Sequence, residues 1–274
     1  MSKVNSVNPM FLIKSSWEQR QLIIALVKRE VASRYRGSLL GNLWAIFIPL
    51  IMLAVYTFIF SMVFNARWGS GEGESRAEFA LVLFAGLMVF NCFSECFVRA
   101  PRLILENVNY VKKVVFPLEV LPWVSLGAAV VNLSISLTVW LVFYCIVYGM
   151  PQVTVLLTPF ILLPLLLLII GLSWALAALG VYLRDLAQLV TVVSTMLMFL
   201  SPIFYPVEAL PEDYRAVLNL NPLTPIIAQT RDVLYWGEIP SFSYYSTTLL
   251  ASCLVAWGGF TLFQKTRQGF ADVL

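Results

Sequence analysis

Long runs without charged side chains dominate the chain. The longest lies between Glu119 and Arg184 and holds no Asp, Glu, Lys or Arg at any of its 64 positions. One membrane crossing needs about 20 apolar residues, so this run is long enough for two transmembrane helices and the turn Gly149-Met150-Pro151 between them. Helices of a soluble domain need a polar face toward water. The pattern therefore predicts a polytopic membrane protein.

The same criterion predicts six apolar spans along the chain. They cover residues 39–64, 79–98, 120–148, 156–183, 187–206 and 242–263. The fifth span is the least regular, because Pro202 and Pro206 interrupt its outer end; it is either a full crossing or a bent one. The predicted fold is all-α, with a single six-span membrane domain over residues 1–274 and non-spanning segments at 1–38, 99–119 and 207–241.

Composition agrees with this class, and the placement of the charges predicts an orientation. The chain is 60% hydrophobic and 12% charged, and its formal net charge of +3 is too small to indicate a nucleic-acid partner. Lys and Arg concentrate in the cytoplasmic segments of membrane proteins. With a cytoplasmic N-terminus, fourteen Lys and Arg residues lie inside and four outside. We therefore expect both termini to be cytoplasmic.

An amphipathic segment precedes the first span. One face of a helical wheel over residues 17–35 is apolar, whereas the opposite face is polar and largely basic. The apolar face comprises Trp17, Ile24, Val27, Val31 and Tyr35. A helix of this kind lies flat in the membrane interface, with its basic groups toward anionic headgroups. The alternative is a basic tail that only orients the first span.

The inside loop 99–122 is longer than orientation requires. Ile104, Leu105 and Val108 can form one face of a short helix beside polar residues. Such a helix at the cytoplasmic surface is suited to dock a partner protein; the alternative is an ordinary connecting loop. Glu95 lies one helical turn before Arg99, and we expect these two side chains to form an ion pair at the interface.

The outside loop 207–242 contains two helix candidates. Pro211-Glu212-Asp213 places a proline and two acids in a first turn. Thr224-Pro225 supplies an N-cap and an N1 proline for a second candidate, which stops at Gly237. Both candidates are too short to cross a bilayer. They form either a structured outer lid or a flexible loop.

Residue types and motifs that the chain lacks limit the functions it can have. The chain has no histidine and no glycine-rich phosphate loop of the form GxxxxGK(S/T), so we expect no catalytic or metal site and no ATP hydrolysis by this chain. Gly171-Leu172-Ser173-Trp174-Ala175 lacks the second glycine of a nucleophile elbow and is interpreted as small-residue helix packing. The cysteines are interpreted as small hydrophobic residues within spans: Cys92, Cys96, Cys145 and Cys253. No set of ionisable residues near the midplane indicates a coupling-ion site, so the energy source is expected to be another protein.

Several motifs resemble a known family. Residues 29–41 (REVASRYRGSLLG), followed by Trp44 and Pro49, resemble the beginning of the first span in permeases of bacterial type-2 ABC polysaccharide exporters. Four further motifs match in the same order: NYVKKVVFP at 109–117, Arg184-Asp185, SPIFYP at 201–206 and Asn221-Pro222. The resemblance covers most of the chain. It is strongest to O-antigen permeases, with capsule and teichoic-acid permeases close to them.

The resemblance implies a homodimer of six-span subunits that works with two copies of a separate ABC ATPase. That partner would bind ATP and Mg²⁺, and this chain would carry no cofactor. The location implied is the bacterial inner membrane. The substrate implied is a polysaccharide attached to an undecaprenyl lipid, which would pass between the subunits along spans one and five. The rivals are a small-molecule or drug exporter of the same superfamily and an intramembrane lipid-modifying enzyme, for which the sequence offers no acid–base constellation.

The resemblance also implies roles for individual residues. Coupling to the ATPase is assigned to Leu105, Glu106, Asn107, Asn109, Tyr110, Lys112 and Lys113. The interface helix is assigned to Trp17, Arg29, Arg34 and Tyr35. The polymer path is assigned to Trp44, Tyr56, Phe60, Phe199, Phe204 and Tyr205, whose flat apolar rings would contact sugar C–H surfaces. The alternative for these aromatic residues is an interfacial belt or a lipid-facing surface.

Overall fold

The computed structural model describes residues 14, 16–34, 41–59, 76–111, 116–207, 211, 215, 218 and 220–274, and within them every regular element is helical. The predicted all-α fold is therefore confirmed. We label the α-helices of nine residues or more in chain order. They are α1 Arg20–Arg34, α2 Trp44–Thr57, α3 Arg76–Arg99, α4 Val120–Tyr148, α5 Leu163–Tyr182, α6 Leu186–Leu200, α7 Leu223–Arg231 and α8 Phe242–Thr266.

Four helical segments of the described chain are long and apolar enough to cross a membrane. They are Ala77–Arg102, Val120–Tyr148, Val153–Tyr182 and Phe242–Gly269, and they coincide with four of the predicted spans. α2 and α6 coincide with the other two predictions but contain only 14 and 15 residues. Helices of that length rise about 21–23 Å, against a hydrocarbon core of about 30 Å. The protein is thus a multi-pass membrane protein.

Two helix ends lie where the sequence predicted interruptions. α4 ends at Tyr148, and the chain turns at Gly149, which has φ 86°. α6 ends at Leu200, because Ser201 precedes a proline and adopts an extended conformation with φ −88° and ψ 144°. Of the two alternatives for the fifth predicted span, the structure shows a short helix followed by a turn.

α3 is the central helix of the molecule. Of the most apolar stretch of its span, 78% is buried inside the protein, compared with 17% for the span that contains α4. α3 contacts α2, α4, α5, α6 and α7. Its two cysteines, Cys92 and Cys96, are buried among apolar residues as predicted, whereas Cys145 and Cys253 lie on exposed helix faces.

α5 and α8 approach each other closely through small residues. A Cβ atom at Gly171 would lie 2.5 Å from the Val255 carbonyl oxygen. Trp174 is buried beside this contact, with its ring centroid 5.1 Å from that of Phe260. Ser173 is buried as well. These contacts confirm the interpretation of the Gly171–Ala175 motif as helix packing.

The second helix candidate of the outer loop is confirmed, but the predicted N-cap at Thr224 is wrong: the helix begins at Leu223 after Pro222, and the Thr224 hydroxyl inside it donates to the Leu218 carbonyl. α7 continues into a π-helical turn over Asp232–Trp236 and stops at Gly237, which has a left-handed φ of 71°. The first candidate, Pro211-Glu212-Asp213, lies largely outside the described residues. α7 packs mainly against α3, at the end of the molecule that the sequence predicts to face outward and that we call the outer end.

Candidate functional site

The segment that follows α3 folds as consecutive turns, not as one helix. Ala100–Arg102 and Leu105–Asn107 are 3₁₀ turns, and Val108–Val111 is a single α-helical turn. Leu103 and Ile104 are sequence neighbours and both are buried. The prediction of one short helix is therefore wrong, and of its predicted common face Ile104 is buried whereas Leu105 and Val108 are half-buried.

The structure exposes part of the set assigned to ATPase coupling. Glu106 and Asn109 are exposed to the surroundings. The remaining described members are half-buried: Leu105, Asn107 and Tyr110. The Asn107 amide donates a 2.9 Å hydrogen bond to the carbonyl of Leu103, so this side chain stabilises the turn itself. Lys112 and Lys113 lie outside the described residues.

A cleft of about 310 Å³ joins this segment to the turn between α5 and α6. Its first wall is formed by Pro101, Arg102, Leu105 and Glu106. Its second wall is formed by Arg184, Asp185, Ala187 and Gln188. The motif Arg184-Asp185 and the coupling segment, identified separately in the sequence, thus border one cleft. The signal that could have joined them is their common placement on the predicted cytoplasmic side.

α1 packs against the first turns of α4. Leu26 is buried against Val120 and Val124, and Val27 adds to the contact. Trp17 and Ile24, in contrast, are 69% and 53% exposed. The apolar face predicted for this segment is therefore divided between the protein and its surroundings. Tyr35 lies outside the described residues.

Two ion pairs connect α1 to α3. Arg99 Nη1 donates to Glu30 Oε1 over 2.5 Å, and Arg34 pairs with Glu95. Asn132 of α4 donates to the second oxygen of Glu95 over 2.9 Å. The expected Glu95–Arg99 pair is therefore wrong. Each of these two side chains pairs with an opposite charge on α1, where Glu30 and Arg34 lie one turn apart in complementary order.

The same cluster extends to the coupling segment. Arg99 Nε lies 3.6 Å from Glu106 Oε2. Arg29 donates a 3.0 Å hydrogen bond to the Tyr110 hydroxyl, and the Tyr110 ring stacks on Phe116 with centroids 4.3 Å apart. The interface-helix set and the coupling set, which the sequence treated as separate, therefore meet in one site.

At the opposite end of α3, four of the six path residues come together. The rings of Tyr56 and Phe204 have centroids 5.7 Å apart, and those of Phe199 and Phe204 are 6.0 Å apart. The Tyr205 hydroxyl donates a 3.0 Å hydrogen bond to the carbonyl of Phe199. Phe199 is 59% exposed, whereas Phe204 is 8% exposed and forms the base of the cluster.

The other two residues assigned to the polymer path are not among the described members of this cluster. Trp44 begins α2 at the opposite end of that helix from Tyr56, and it is 36% exposed. Phe60 lies outside the described residues. The structure thus supports an aromatic surface at the outer ends of α2 and α6.

Arg231 connects three parts of the outer end. This role was not recognised from the sequence, where Arg231 was treated only as one of the four basic residues outside. It is 4% exposed. Its guanidinium donates to the carbonyls of Val82 over 3.0 Å, Pro202 over 2.5 Å and Ile203 over 2.8 Å. It therefore fixes the turn after α6 against α3.

Asn221 stabilises the same turn from the other side. Its amide nitrogen donates to Ser201 Oγ over 2.9 Å, and its carbonyl oxygen accepts from the backbone N–H of Leu223 over 3.0 Å. The motifs SPIFYP and Asn221-Pro222 therefore form one structural unit at the start of α7.

A second aromatic cluster lies beside α7. The Trp140 indole donates to the carbonyl of Leu81 over 2.9 Å and stacks on Tyr144, with centroids 5.1 Å apart. Tyr144 and Tyr148 in turn contact Tyr235. Burial raises the pKa of the Tyr235 phenol, and the Tyr148 hydroxyl and a nearby carboxylate act in the same direction, so Tyr235 stays a neutral donor. The spacing of positions 140, 144 and 148, four residues apart, was the sequence feature that could have predicted this cluster.

These features define a class of protein. The described residues contain no group of three or more His, Cys, Asp or Glu side chains that could hold a metal ion. What the structure offers instead is a charged cleft at one end of a multi-pass helical bundle and an aromatic surface at the other. This arrangement suits a membrane transport component.

The chain belongs to the ABC-2 type transporter family, which it matches over residues 21–235. It is 28% identical over 263 residues to the O-antigen export system permease protein RfbA of Myxococcus xanthus, covering 95% of this chain and 98% of that protein. Its identity to the protein of the same name from Klebsiella pneumoniae is 26%, over 92% and 95% of the two chains. It is also 25% identical to the polysialic acid transport protein KpsM of Escherichia coli, over 94% and 98%. The family resemblance drawn from the sequence is confirmed.

Proposed function

We propose that this protein is the membrane-spanning subunit of an ATP-driven exporter, which moves a lipid-linked polysaccharide of the O-antigen type from the cytoplasm to the periplasm. The observation that carries the proposal is the similarity, over at least 92% of the chain, to proteins named as O-antigen export permeases. The chain has no phosphate-binding loop of its own, so a separate ABC ATPase would bind ATP and Mg²⁺ and supply the energy.

The functional assembly in this proposal is a homodimer with two ATPase subunits in the bacterial inner membrane. Each permease subunit would have six spans, with α2 and α6 contributing the first and fifth. The exposed apolar faces of these two short helices would be open to a second copy, to the polymer or to lipid. The distribution of fourteen Lys and Arg residues inside and four outside supports cytoplasmic termini.

The cytoplasmic cleft is the proposed docking site for the ATPase. Its exposed Glu106 and the neighbouring Arg184-Asp185 turn present both signs of charge to a partner. α1 would lie in the membrane interface, because Trp17 and Ile24 face outward beside the basic Lys28. The gate would be formed by α7 and the rest of the outer loop.

The aromatic surface formed by Tyr56, Phe199, Phe204 and Tyr205 is the proposed path for the polymer, attached to an undecaprenyl lipid. Aromatic rings bind the C–H faces of sugars without fixed hydrogen bonds, so a chain can advance past them. A capsule polysaccharide is the alternative substrate. The observation in support of this alternative is the similarity to the polysialic acid transport protein.

Deletion of the gene in its own bacterium tests the proposal. We expect O-antigen to disappear from the cell surface while undecaprenyl-linked polymer accumulates inside. Restoring the permease together with its ATPase should restore the surface polymer, whereas the purified permease alone should not hydrolyse ATP.

Three results would separate the alternatives. Loss of capsule with unchanged O-antigen would favour the second substrate. Unchanged surface polysaccharides of both kinds would contradict the proposal. ATP hydrolysis by the pure permease would contradict the assignment of that activity to a partner.

A further inference from the structure

We propose that α1 receives the movement of the ATPase from the coupling segment through three charged side chains, Glu30, Arg99 and Glu106, with Arg99 as the positioning residue. This inference rests on the proposed function, because it describes how an ATPase at the cytoplasmic cleft acts on the membrane domain.

Arg99 occupies the junction that such a movement must cross. It is the last residue of α3 and directly precedes the turn Ala100–Arg102, which begins the coupling segment. Its guanidinium bonds Glu30 of α1 at 2.5 Å and lies 3.6 Å from Glu106, a wall residue of the cleft. One side chain therefore contacts the interface helix and the ATPase-facing segment at the same time.

A second row of charges fixes the register of α1 on α3. Glu30 and Arg34 on α1 face Arg99 and Glu95 on α3, one turn apart on both helices. If α1 slipped by one turn, either the two glutamates or the two arginines would face each other, which is unfavourable. Asn132 also holds Glu95 from α4. The ion pairs therefore favour movement of α1 together with the end of α3.

The connection between α1 and the coupling segment is polar and loosely packed. A cavity of about 50 Å³ separates them, and its lining includes Arg29, Glu30, Arg99, Asn107 and Tyr110. Apolar side chains also line the cavity, among them Leu26 of α1 and Leu103 of the coupling segment. The bonds that cross it are polar and join Arg29 to Tyr110 and Arg99 to Glu30. Ion pairs that are partly exposed contribute little to folding stability. Their removal should therefore affect transmission more than folding.

The order of the charges allows a test by sign reversal. Arg99→Glu alone places like charges opposite both Glu30 and Glu106. Glu30→Arg with Arg99→Glu restores attraction between these two positions in the native register, although the row of charges then no longer opposes a slip of α1 by one turn. Adding Glu106→Arg restores attraction to the coupling segment as well. Glu18→Arg, at an exposed position just before α1, is the matched control.

The measurement is made on permease–ATPase complexes in vesicles, as polymer exported per ATP hydrolysed. We expect Arg99→Glu to lower this ratio severalfold, because the two attractive contacts of Arg99 become repulsive. The double variant should stay low, whereas the triple variant should recover at least half of the wild-type ratio. Glu18→Arg should match wild type.

Each departure from this pattern overturns the inference. A wild-type ratio in Arg99→Glu would mean that Arg99 transmits nothing. Full recovery in the double variant would mean that Glu106 takes no part in the transmission. Failure of the triple variant at normal membrane levels would mean that none of the three residues transmits the movement. A wild-type complex that hydrolyses ATP but exports no polymer would instead refute the proposed function, and the inference with it.

Discussion

At the scale of single residues, Arg231 shows how one side chain organises the outer end. Its guanidinium bonds the carbonyls of Val82, Pro202 and Ile203. The last two carbonyls belong to the turn that follows α6, where no continuing helix supplies backbone donors. A guanidinium presents five donors in one plane, whereas the ammonium of lysine presents three from a single point. Lysine therefore cannot reproduce this set of bonds.

We expect Arg231→Lys to destabilise the protein although it keeps the charge. At least one buried carbonyl would lose its donor, at a cost of about 1–3 kcal/mol. The melting temperature of the purified protein in detergent measures the effect. Arg184→Lys, at an exposed turn, is the control and should melt as wild type does.

Gly86→Ala tests the same contact from α3. A Cβ atom at Gly86 would lie 2.7 Å from Nη2 of Arg231, so the guanidinium would have to shift away from its carbonyls. This variant should lower the melting temperature as well. If both variants melted like wild type, Arg231 would not be needed to hold the turn after α6.

At the scale of elements, α2 and α6 differ from the other apolar helices. Both are short, and each has an exposed apolar face, which includes Ile51 on α2 and Leu189 and Met196 on α6. Tyr56 of α2 and Phe199 of α6 both contact the ring of Phe204. An exposed face of this composition is suited either to lipid or to a sliding polymer, and a substitution can distinguish these two uses.

Phe199→Leu should lower export severalfold at unchanged membrane levels if Phe199 contacts sugar, because leucine keeps the apolar volume but loses the flat ring. Phe160→Leu is the matched control: Phe160 is 66% exposed and Phe199 is 59% exposed, but Phe160 lies outside the proposed path. Surface polymer is measured at matched permease levels. Equal export by the two variants would make Phe199 a lipid-facing residue.

The elements themselves followed from local sequence, whereas the site did not. Charge-free runs predicted α3, α4, α5 and α8, and Pro202 predicted the end of α6, because length and backbone chemistry are local properties. The pairing of Glu95 with Arg34, in place of the nearby Arg99, depends on how α1 lies against α3. That placement is a tertiary property, so a helical-wheel argument could not supply it. The aromatic cluster was predicted in part, since Phe204 and Tyr205 lie in the SPIFYP motif.

At the scale of the whole molecule, the distribution of charge predicts one orientation. In a variant without its native cysteines, a cysteine at Met150 should react with a membrane-impermeant thiol reagent in intact spheroplasts. Met150 is 96% exposed in the turn after α4. A cysteine at Asp185, in the exposed turn between α5 and α6, should react only after the membrane is opened.

The reverse labelling pattern would place the termini in the periplasm and contradict the orientation. Glu238→Cys is a second outward-facing control, because Glu238 is exposed after the π-helical turn. It should react as Met150→Cys does. The three positions together test both ends of the bundle.

The two ends of the molecule are held by different kinds of contact. The ion pairs at the proposed cytoplasmic end join the side chains of a glutamate and an arginine, and their glutamates include Glu30, Glu95 and Glu119. At the proposed periplasmic end, Arg231 donates to backbone carbonyls, which do not titrate, and a guanidinium remains protonated. Acidification of the medium reaches the periplasm before the buffered cytoplasm. It would therefore leave these bonds of Arg231 intact, so the outer turn keeps its shape on the side where the pH varies most.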